Sequence, residues 1–332
     1  MAITLVTGAA GFIGSHLSEA LVKSGRKVRG LVQKESLNIN HIRRAGVEVV
    51  YGDILDKESL KSALQGVDTV YHLAAMLKPS KWIYSKAGLS RELDEVNYEG
   101  TKLLAELSLG KIKNFIFCSS IAAAGAGPAI DEACETEPST EYGQSKRKAE
   151  RYLLELHKKG LPLKIIRPGT VYGPRNMNMT AIFKFIDRGF FPSFGKGENS
   201  LPFTYIEHLV GAFLLVEEKG NEGEAYFVVE DAVPFRDLAR VSAAALGRRL
   251  SGFYVPKWLV FGGLFVKDLL ETLLPVRLFP LCMDIRFSNA RIATGDWICS
   301  NKKIKELGYK PSFTFADSVG RTARWYKENG LL

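Results

Sequence analysis

Apolar and polar positions change period along this chain in a regular way. Short runs rich in β-branched and aromatic residues, at Ile3–Val6, Lys27–Val32, Val47–Tyr51, Asp68–Leu73, Asn114–Cys118 and Leu163–Ile166, alternate with longer stretches of helical spacing. The helical patterns run over Phe12–Ser24, Ser36–Ala45, Lys57–Leu64 and Leu93–Leu109, and each meets a glycine at or just past its end (Gly25, Gly46, Gly66, Gly110). Strand and helix alternating in this way predict successive strand–helix–strand units on one parallel sheet, hence an α/β class. A glycine past a helix is a stop signal because it accepts the left-handed backbone there.

After Pro168 the pattern loosens into loops rich in proline and glycine, with helices predicted near Met177–Arg188, Ile206–Glu218 and Phe235–Leu246 and a strand near Ala225–Val229. The division expected is a larger unit over residues 1–170, joined by a returning segment at about 203–230, with the remainder of 171–332 forming a smaller lobe. Neither an internal repeat nor a low-complexity segment interrupts it.

Composition narrows the class. Hydrophobic residues are 46% and charged residues 24%, both ordinary for a soluble globular chain, which excludes disordered and fibrous classes. The net charge of +9 is spread along the chain rather than gathered in an arm, so small anionic ligands are favoured over nucleic acid. Cys118, Cys134, Cys282 and Cys299 form no paired spacing, as suits a reducing compartment and idle thiols. The five histidines form no ligand cluster, so no metal is expected, and His16 and His72 read as structural. No leader pattern precedes the first strand, which points to the cytoplasm. Trp258–Met283 is apolar but broken by Lys267, Asp268, Glu271 and Arg277, so it does not read as a spanning helix, while peripheral contact with a membrane stays open.

Chemistry enters at Gly8, Gly11 and Gly14, where the first strand ends and the first helix begins. In that context the first glycine permits the turn and the second lets backbone approach a pyrophosphate. The third allows close helix–strand packing, and helix N–H groups face the anion. A dinucleotide site also reads its ribose, and a site selective for NAD usually places Asp or Glu at the end of the second strand. Here that end is Gln33 and Lys34, with Arg29 nearby and no carboxylate before Glu35. The reading favours NADP(H) and leaves NAD(H) open. Asp53, after the third strand, either contacts the adenine or caps the next helix, whereas Asp56 reads as a cap.

Tyr142 and Lys146 lie one helical turn apart, which places phenol and ammonium on one face. Bringing a tyrosine from its ordinary pKa of about 10 to about 7 requires some 4 kcal/mol of selective anion stabilisation. Lys146 together with an oxidised nicotinamide is the expected source, and the phenolate would then take an alcohol proton as hydride leaves. Tyr98 and Lys102 share the spacing. Only Tyr142 follows the strand ending at Ser119 and Ser120, where ligands bind in open α/β sheets, so Tyr98 reads as a packing residue.

Thr7–Gly14, His72–Ala75, Asn97, Ser119, Ser120, Tyr142, Lys146 and Arg167–Pro174 together resemble the extended short-chain dehydrogenase/reductase (epimerase/dehydratase) superfamily, in order and over nearly the whole chain. The resemblance implies a Rossmann-type doubly wound parallel sheet with a smaller, interleaved C-terminal substrate lobe. It implies that Ser120, with Ser119 as the fallback, binds the substrate oxygen, and that Asn97 supports Lys146 through a water. Phe12, Ile13, Ile54, Ala74, Pro168 and Val171 would border the cofactor. A homodimer through Leu93–Leu109 and Tyr142–Leu156 is the implied assembly.

Within the superfamily, nucleotide-sugar enzymes carry an Arg-Asp pair before an aromatic run, and the arginine grips the substrate diphosphate. The corresponding segment here, Leu201–His208, has no such arginine. Gly195–Glu207, Gly223–Phe227 and Ser119–Gly125 instead resemble the 3β-hydroxysteroid and sterol-4-carboxylate dehydrogenase and dihydroflavonol reductase branch. The expected substrate is therefore a hydrophobic, sterol-like or flavonol-like small-molecule alcohol or ketone, with a nucleotide-sugar epimerase or dehydratase as the rival and a non-catalytic NADP-binding sensor or scaffold as the reading of another class. Arg175 either faces an acidic group of cofactor or substrate or is a solvated surface residue. The apolar stretch after Pro256, and Phe190–Phe194, either line a substrate entrance, pack inside the lobe or meet a bilayer.

Overall fold

The structure, a computed structural model, describes residues 2–36, 38–77, 86–134, 136–191, 193–194, 197–251, 254–273 and 295–332. Seven strands form its central sheet: β1 (Ile3–Thr7), β2 (Lys27–Val32), β3 (Glu48–Tyr51), β4 (Val67–His72), β5 (Asn114–Cys118), β6 (Leu163–Pro168) and β7 (Ala225–Val228). All are parallel, in the order β7-β6-β5-β4-β1-β2-β3. β1 is buried along its whole length, as a strand covered on both faces by crossover helices should be. The order reverses direction between β4 and β1, which opens a crevice at the carboxyl edge where β1, β4 and β5 end.

The helices are α1 (Phe12–Lys23), α2 (Ile39–Arg44), α3 (Lys57–Ala63), α4 (Lys86–Asp94), α5 (Gly100–Ser108), α6 (Glu141–His157), α7 (Thr180–Asp187), α8 (Ile206–Lys219), α9 (Phe235–Leu246), α10 (Lys257–Leu273), α11 (Lys302–Glu306) and α12 (Phe315–Glu328). The predicted glycine stops behave as such, with Gly25 and Gly110 at φ of +84° and +71°. Asp56 caps α3 by accepting from the Glu58 backbone N–H.

One predicted helix differs. Leu93–Leu109 is not continuous, because a π-helical turn at Glu95–Glu99 separates α4 from α5. The wider turn brings Asn97 inward, fully buried, and Gly100 seats on Ile54, where a Cβ would come within 2.7 Å of the Ile54 side chain. Apolar periodicity predicts the helix but does not register one extra residue in its turn.

Beyond β6 the chain makes a short strand, Thr170–Tyr172, that pairs in parallel with Phe203–Tyr205, and then returns through α8 to β7 on the edge of the main sheet. α10 exposes Trp258, Leu259, Val266 and Leu269. The predicted apolar residues Leu274, Leu278 and Phe279 lie outside the described residues, as do Cys282 and Pro192. Among the described residues no helix is long and apolar enough to cross a membrane.

α6 is tied to the sheet by an ion pair. Arg167 on β6 donates through Nε and Nη2 to the two carboxylate oxygens of Glu150, at 2.9 and 2.7 Å, with the Glu150 side chain 3% exposed. Removing one partner leaves the other charged and largely buried. Glu150→Ala should therefore cost about 3–5 kcal/mol in urea unfolding, and the double change Glu150→Leu with Arg167→Met should recover most of it. A single-variant loss below about 1 kcal/mol would show that this pair does not hold α6 in place.

Candidate active site

The glycine loop leaves no room for side chains. Gly8 takes φ +67°, and a Cβ there would lie 2.9 Å from the Ala74 backbone nitrogen; at Gly14 a Cβ would lie 2.1 Å from the Gly8 carbonyl oxygen. Gly11 begins α1 without any side-chain cap, and no acidic residue occupies the first turn. The first N–H groups of a twelve-residue helix are thereby left to a ligand, which is the chemistry a pyrophosphate requires. Gly8, Gly11, Phe12, Ile13 and Gly14 open on a cavity of ≈ 660 Å³ that extends past Ser119, Ser120, Tyr142 and Lys146 to Pro168 and Val171. These residues fit a dinucleotide whose nicotinamide end reaches the carboxyl edge of β5.

At the far end, Gln33 donates to the Asp53 carboxylate at 3.1 Å, and the Leu55 N–H donates to the other oxygen at 2.9 Å. That link joins the ends of β2 and β3 into one rim, with Lys34 exposed beside it. Arg29 does not reach the rim: it donates to Glu48 at 3.0 Å and to the carbonyls of Ala63 and Gln65 at 3.0 and 2.7 Å. Ile54 is buried beneath Gly100, which gives it a packing contact rather than an open face toward a ligand.

Thr140 caps α6 by accepting from the Gly143 N–H at 3.0 Å, which fixes Tyr142 in the first turn. Ser120 caps the short helical turn Ile121–Ala123 by accepting from the Ala122 N–H at 3.2 Å, and its hydroxyl lies near enough to the Tyr142 phenol to draw the phenol pKa down. Lys146 is fully buried; its Nζ donates to the Cys118 carbonyl at 2.8 Å and lies 4.5 Å from the Phe117 ring centroid. Burial pulls the Lys146 pKa down to about 8, against smaller opposing effects from Cys118 and Glu150.

Among the described contacts Lys146 Nζ donates to the Cys118 carbonyl and makes no hydrogen bond to Tyr142. The phenol pKa is pushed up, first by burial and then by the Cys118 thiol, with the neighbouring Ser120 hydroxyl drawing it down. Helical spacing places two groups on one face, but it does not decide which nearer acceptor takes the ammonium.

Asn97 is not hydrogen-bonded to Lys146. Its side chain accepts from the Met76 N–H at 2.8 Å and donates to the Met76 carbonyl at 2.9 Å and to Ser145 Oγ at 3.0 Å. Its backbone carbonyl accepts from Thr101 Oγ1 at 2.7 Å, and that proton direction fixes a buried relay. Thr101 must accept from His72 Nε2 at 2.8 Å, so His72 Nδ1 accepts from Thr7 Oγ1 at 2.7 Å. Thr7 Oγ1 in turn accepts from the Ala74 N–H at 3.2 Å. Burial, then the nearby Lys146 charge, lowers the His72 pKa to about 3, so the imidazole stays neutral and the relay keeps one direction. It joins the glycine loop, the end of β4 and the π turn that grips α6.

Arg175, at φ 71°, turns back on α1, donating from Nε to His16 at 3.0 Å and from Nη2 to Glu19 at 3.3 Å, and it is not among the residues bordering the cavity. Tyr98 packs edge-on against Tyr152 under Lys148, also away from the cavity. The cavity also draws on Leu77, Leu93, Thr140, Met179 and Trp297, which carry no motif. Leu93 and Met179 have a sequence signal, each lying in a segment of predicted helix.

A family model described as NAD dependent epimerase/dehydratase family matches residues 4–229. The chain is 29% identical to "Sterol demethylase protein B" of Methylococcus capsulatus, with 99% of each chain covered. It is also 29% identical to the "3 beta-hydroxysteroid dehydrogenase/Delta 5-->4-isomerase" of Mycobacterium tuberculosis, over 97% of this chain and 90% of that one. In structure it is similar to the UDP-glucose 4-epimerase of Thermotoga maritima with UDP-glucose, at TM-score 0.78 and 25% identity, covering 98% and 99% of the two chains.

Lys146 gives the site a pH signature. Its proton is lost near pH 8 in the folded protein but near 10.5 in the unfolded chain, so between those values the unfolded state binds more protons and stability rises with pH. The difference amounts to about 3 kcal/mol. Urea unfolding of the cofactor-free protein and of Lys146→Met should show the original chain gaining on the variant across that window and not below it. Parallel profiles would contradict the assigned burial of the charge.

Proposed function

The chain belongs to the NAD dependent epimerase/dehydratase family, and from that premise we propose that it interconverts a secondary alcohol and a ketone on a hydrophobic, sterol-like or flavonol-like substrate. The carrying observation is the cavity wall around Ser120 and Tyr142. Leu77, Leu93, Ile121, Val171, Met179 and Trp297 supply the apolar part of its wall, beside the uncharged Thr140, Asn176 and Asn178 and the acidic Glu141, and Lys146, already bound to Cys118, is the single cation among its described residues. A nucleoside diphosphate needs cations or an array of N–H donors there; an apolar ring system needs what is present. The relatives named for sterol and steroid substrates support the same choice.

In this reading residues 1–170 with the returning segment 203–230 hold the cofactor, and the remainder of 171–332 shapes the substrate end. A bound nicotinamide supplies the hydride acceptor or donor. Ser120 holds the substrate oxygen, Tyr142 removes or returns its proton, and Lys146 contributes the positive charge behind the phenol. Asn97 is a positioning residue, gripping Ser145 and so the turn that carries Lys146. The end of β2, with Lys34 exposed and no acid in that strand's last residues, supports acceptance of a 2′-phosphate and so NADP(H), although the Asp53 carboxylate shares the rim with Gln33 and Arg29 is spent on Glu48. A homodimer through the outer faces of α5 and α6 and surface contact of α10 with a membrane complete the proposal, the latter supported by its exposed apolar residues.

A panel of 3β-hydroxysteroids and β-hydroxy acids with each oxidised dinucleotide, and dihydroflavonols with each reduced one, read by nicotinamide absorbance, set against UDP- and dTDP-sugars whose redox-neutral conversion is read by product chromatography, tests the proposal. Turnover of an apolar alcohol, faster with NADP⁺ than with NAD⁺, is expected. Turnover of the sugars alone would overturn the substrate class, and a preference for NAD⁺ above about tenfold, roughly 1.4 kcal/mol, would overturn the cofactor choice.

A further inference from the structure

Among the described residues two charged side chains border the cavity, and they differ in kind. Lys146 is fully buried and spent on the Cys118 carbonyl. Glu141 is half-buried, and its side chain has no hydrogen bond or ion pair with any described residue. Helix geometry gives its direction. Glu141 opens α6, and Ser145 and Lys148 follow at the fourth and seventh positions after it, hence on the same face. Ser145 meets the Asn97 side chain at 3.0 Å and Lys148 meets Asp94 at 2.9 Å, so that face fronts α4 and the π turn. Leu93, beside Asp94, and Leu77, beside the Met76 that Asn97 holds, belong to the cavity wall on that side.

Glu141 therefore carries its carboxylate toward an apolar wall, one residue along the chain from Tyr142. An ionised carboxylate can only accept hydrogen bonds, and beside a wall of low polarity it repels another anion more strongly than it would in water. We propose that Glu141 is a specificity-determining residue: its carboxylate bars anionic substrates and accepts a hydrogen bond from a donor, a second hydroxyl, that the apolar substrate carries near its reacting alcohol. The selection by charge stands on the cavity alone; the alcohol rests on the alcohol–ketone reading above. An acid in the first turn also steadies its helix, but that role would not rank one ligand above another.

The test uses two probes of one shape, cyclohexanecarboxylate and cyclohexanecarboxamide, the first an anion and the second a neutral donor. Each is titrated at neutral pH into the protein saturated with NADPH, or with NADH if that is the dinucleotide it retains, and binding is read from the fluorescence of the bound nicotinamide. The original chain should bind the amide in preference to the carboxylate. That preference should fall about tenfold in Glu141→Gln, which keeps the shape of the side chain, and should reverse in Glu141→Lys. A preference for the carboxylate in the original chain, or a change of less than about twofold in both variants, would overturn the proposal. The titration needs no turnover. If the original chain converts no apolar alcohol, the function proposed above fails while the two affinities still decide the role of Glu141.

Discussion

A buried ammonium has to be held by whatever the fold can offer, and Lys146 is held by one carbonyl, that of Cys118, and by the face of Phe117. Both belong to β5, so the ammonium fixes where α6 crosses the carboxyl edge of the sheet. Further contacts keep it there. Thr140 sets the start of the helix, the Arg167–Glu150 pair ties its third turn to β6, and Asn97 grips Ser145 immediately before Lys146. Tyr142 and Ser120 meet because these constraints agree on one position for the helix.

The same logic reaches the dinucleotide loop. The relay from Ala74 through Thr7, His72 and Thr101 to Asn97 runs in one proton direction, since the Asn97 carbonyl can only accept. A neutral, fully buried His72 therefore serves as a fixed connector between the turn at Gly8 and the turn that holds α6. Loop and helix are thereby set relative to each other before any ligand enters, which is the condition for bringing a hydride and a proton to one substrate carbon and oxygen.

Much of this was legible in the sequence, for reasons that differ by residue. Gly8 and Gly14 are forced by backbone contacts shorter than any side chain allows, with Gly11 tight at 3.1 Å between them, so their spacing carries the geometry directly. Strand alternation predicts the parallel sheet because the inner strands are covered on both faces, β1 along its whole length, while the edge strand β3 is partly exposed. The π turn at Glu95–Glu99 was not legible, since one inserted residue does not disturb apolar periodicity. Nor were the Gln33–Asp53 link and the place of Trp297, which depend on contacts between residues distant along the chain. Arg29 and Arg175 carry the charge that the sequence shows, but Glu48 and Glu19 decide where that charge is spent. The spacing of Tyr142 and Lys146 accounts for both lying on the cavity wall, whereas the bond from the ammonium to the Cys118 carbonyl depends on how α6 meets β5.

The central claim is that Tyr142 exchanges a proton with an apolar substrate alcohol as hydride moves. Its most direct test is kcat for Tyr142→Phe, read by nicotinamide absorbance on a substrate the original chain turns over, with cofactor affinity measured in parallel by fluorescence. The account predicts a fall in kcat of about 10²-fold or more with cofactor binding retained. Undiminished turnover in the variant would contradict it.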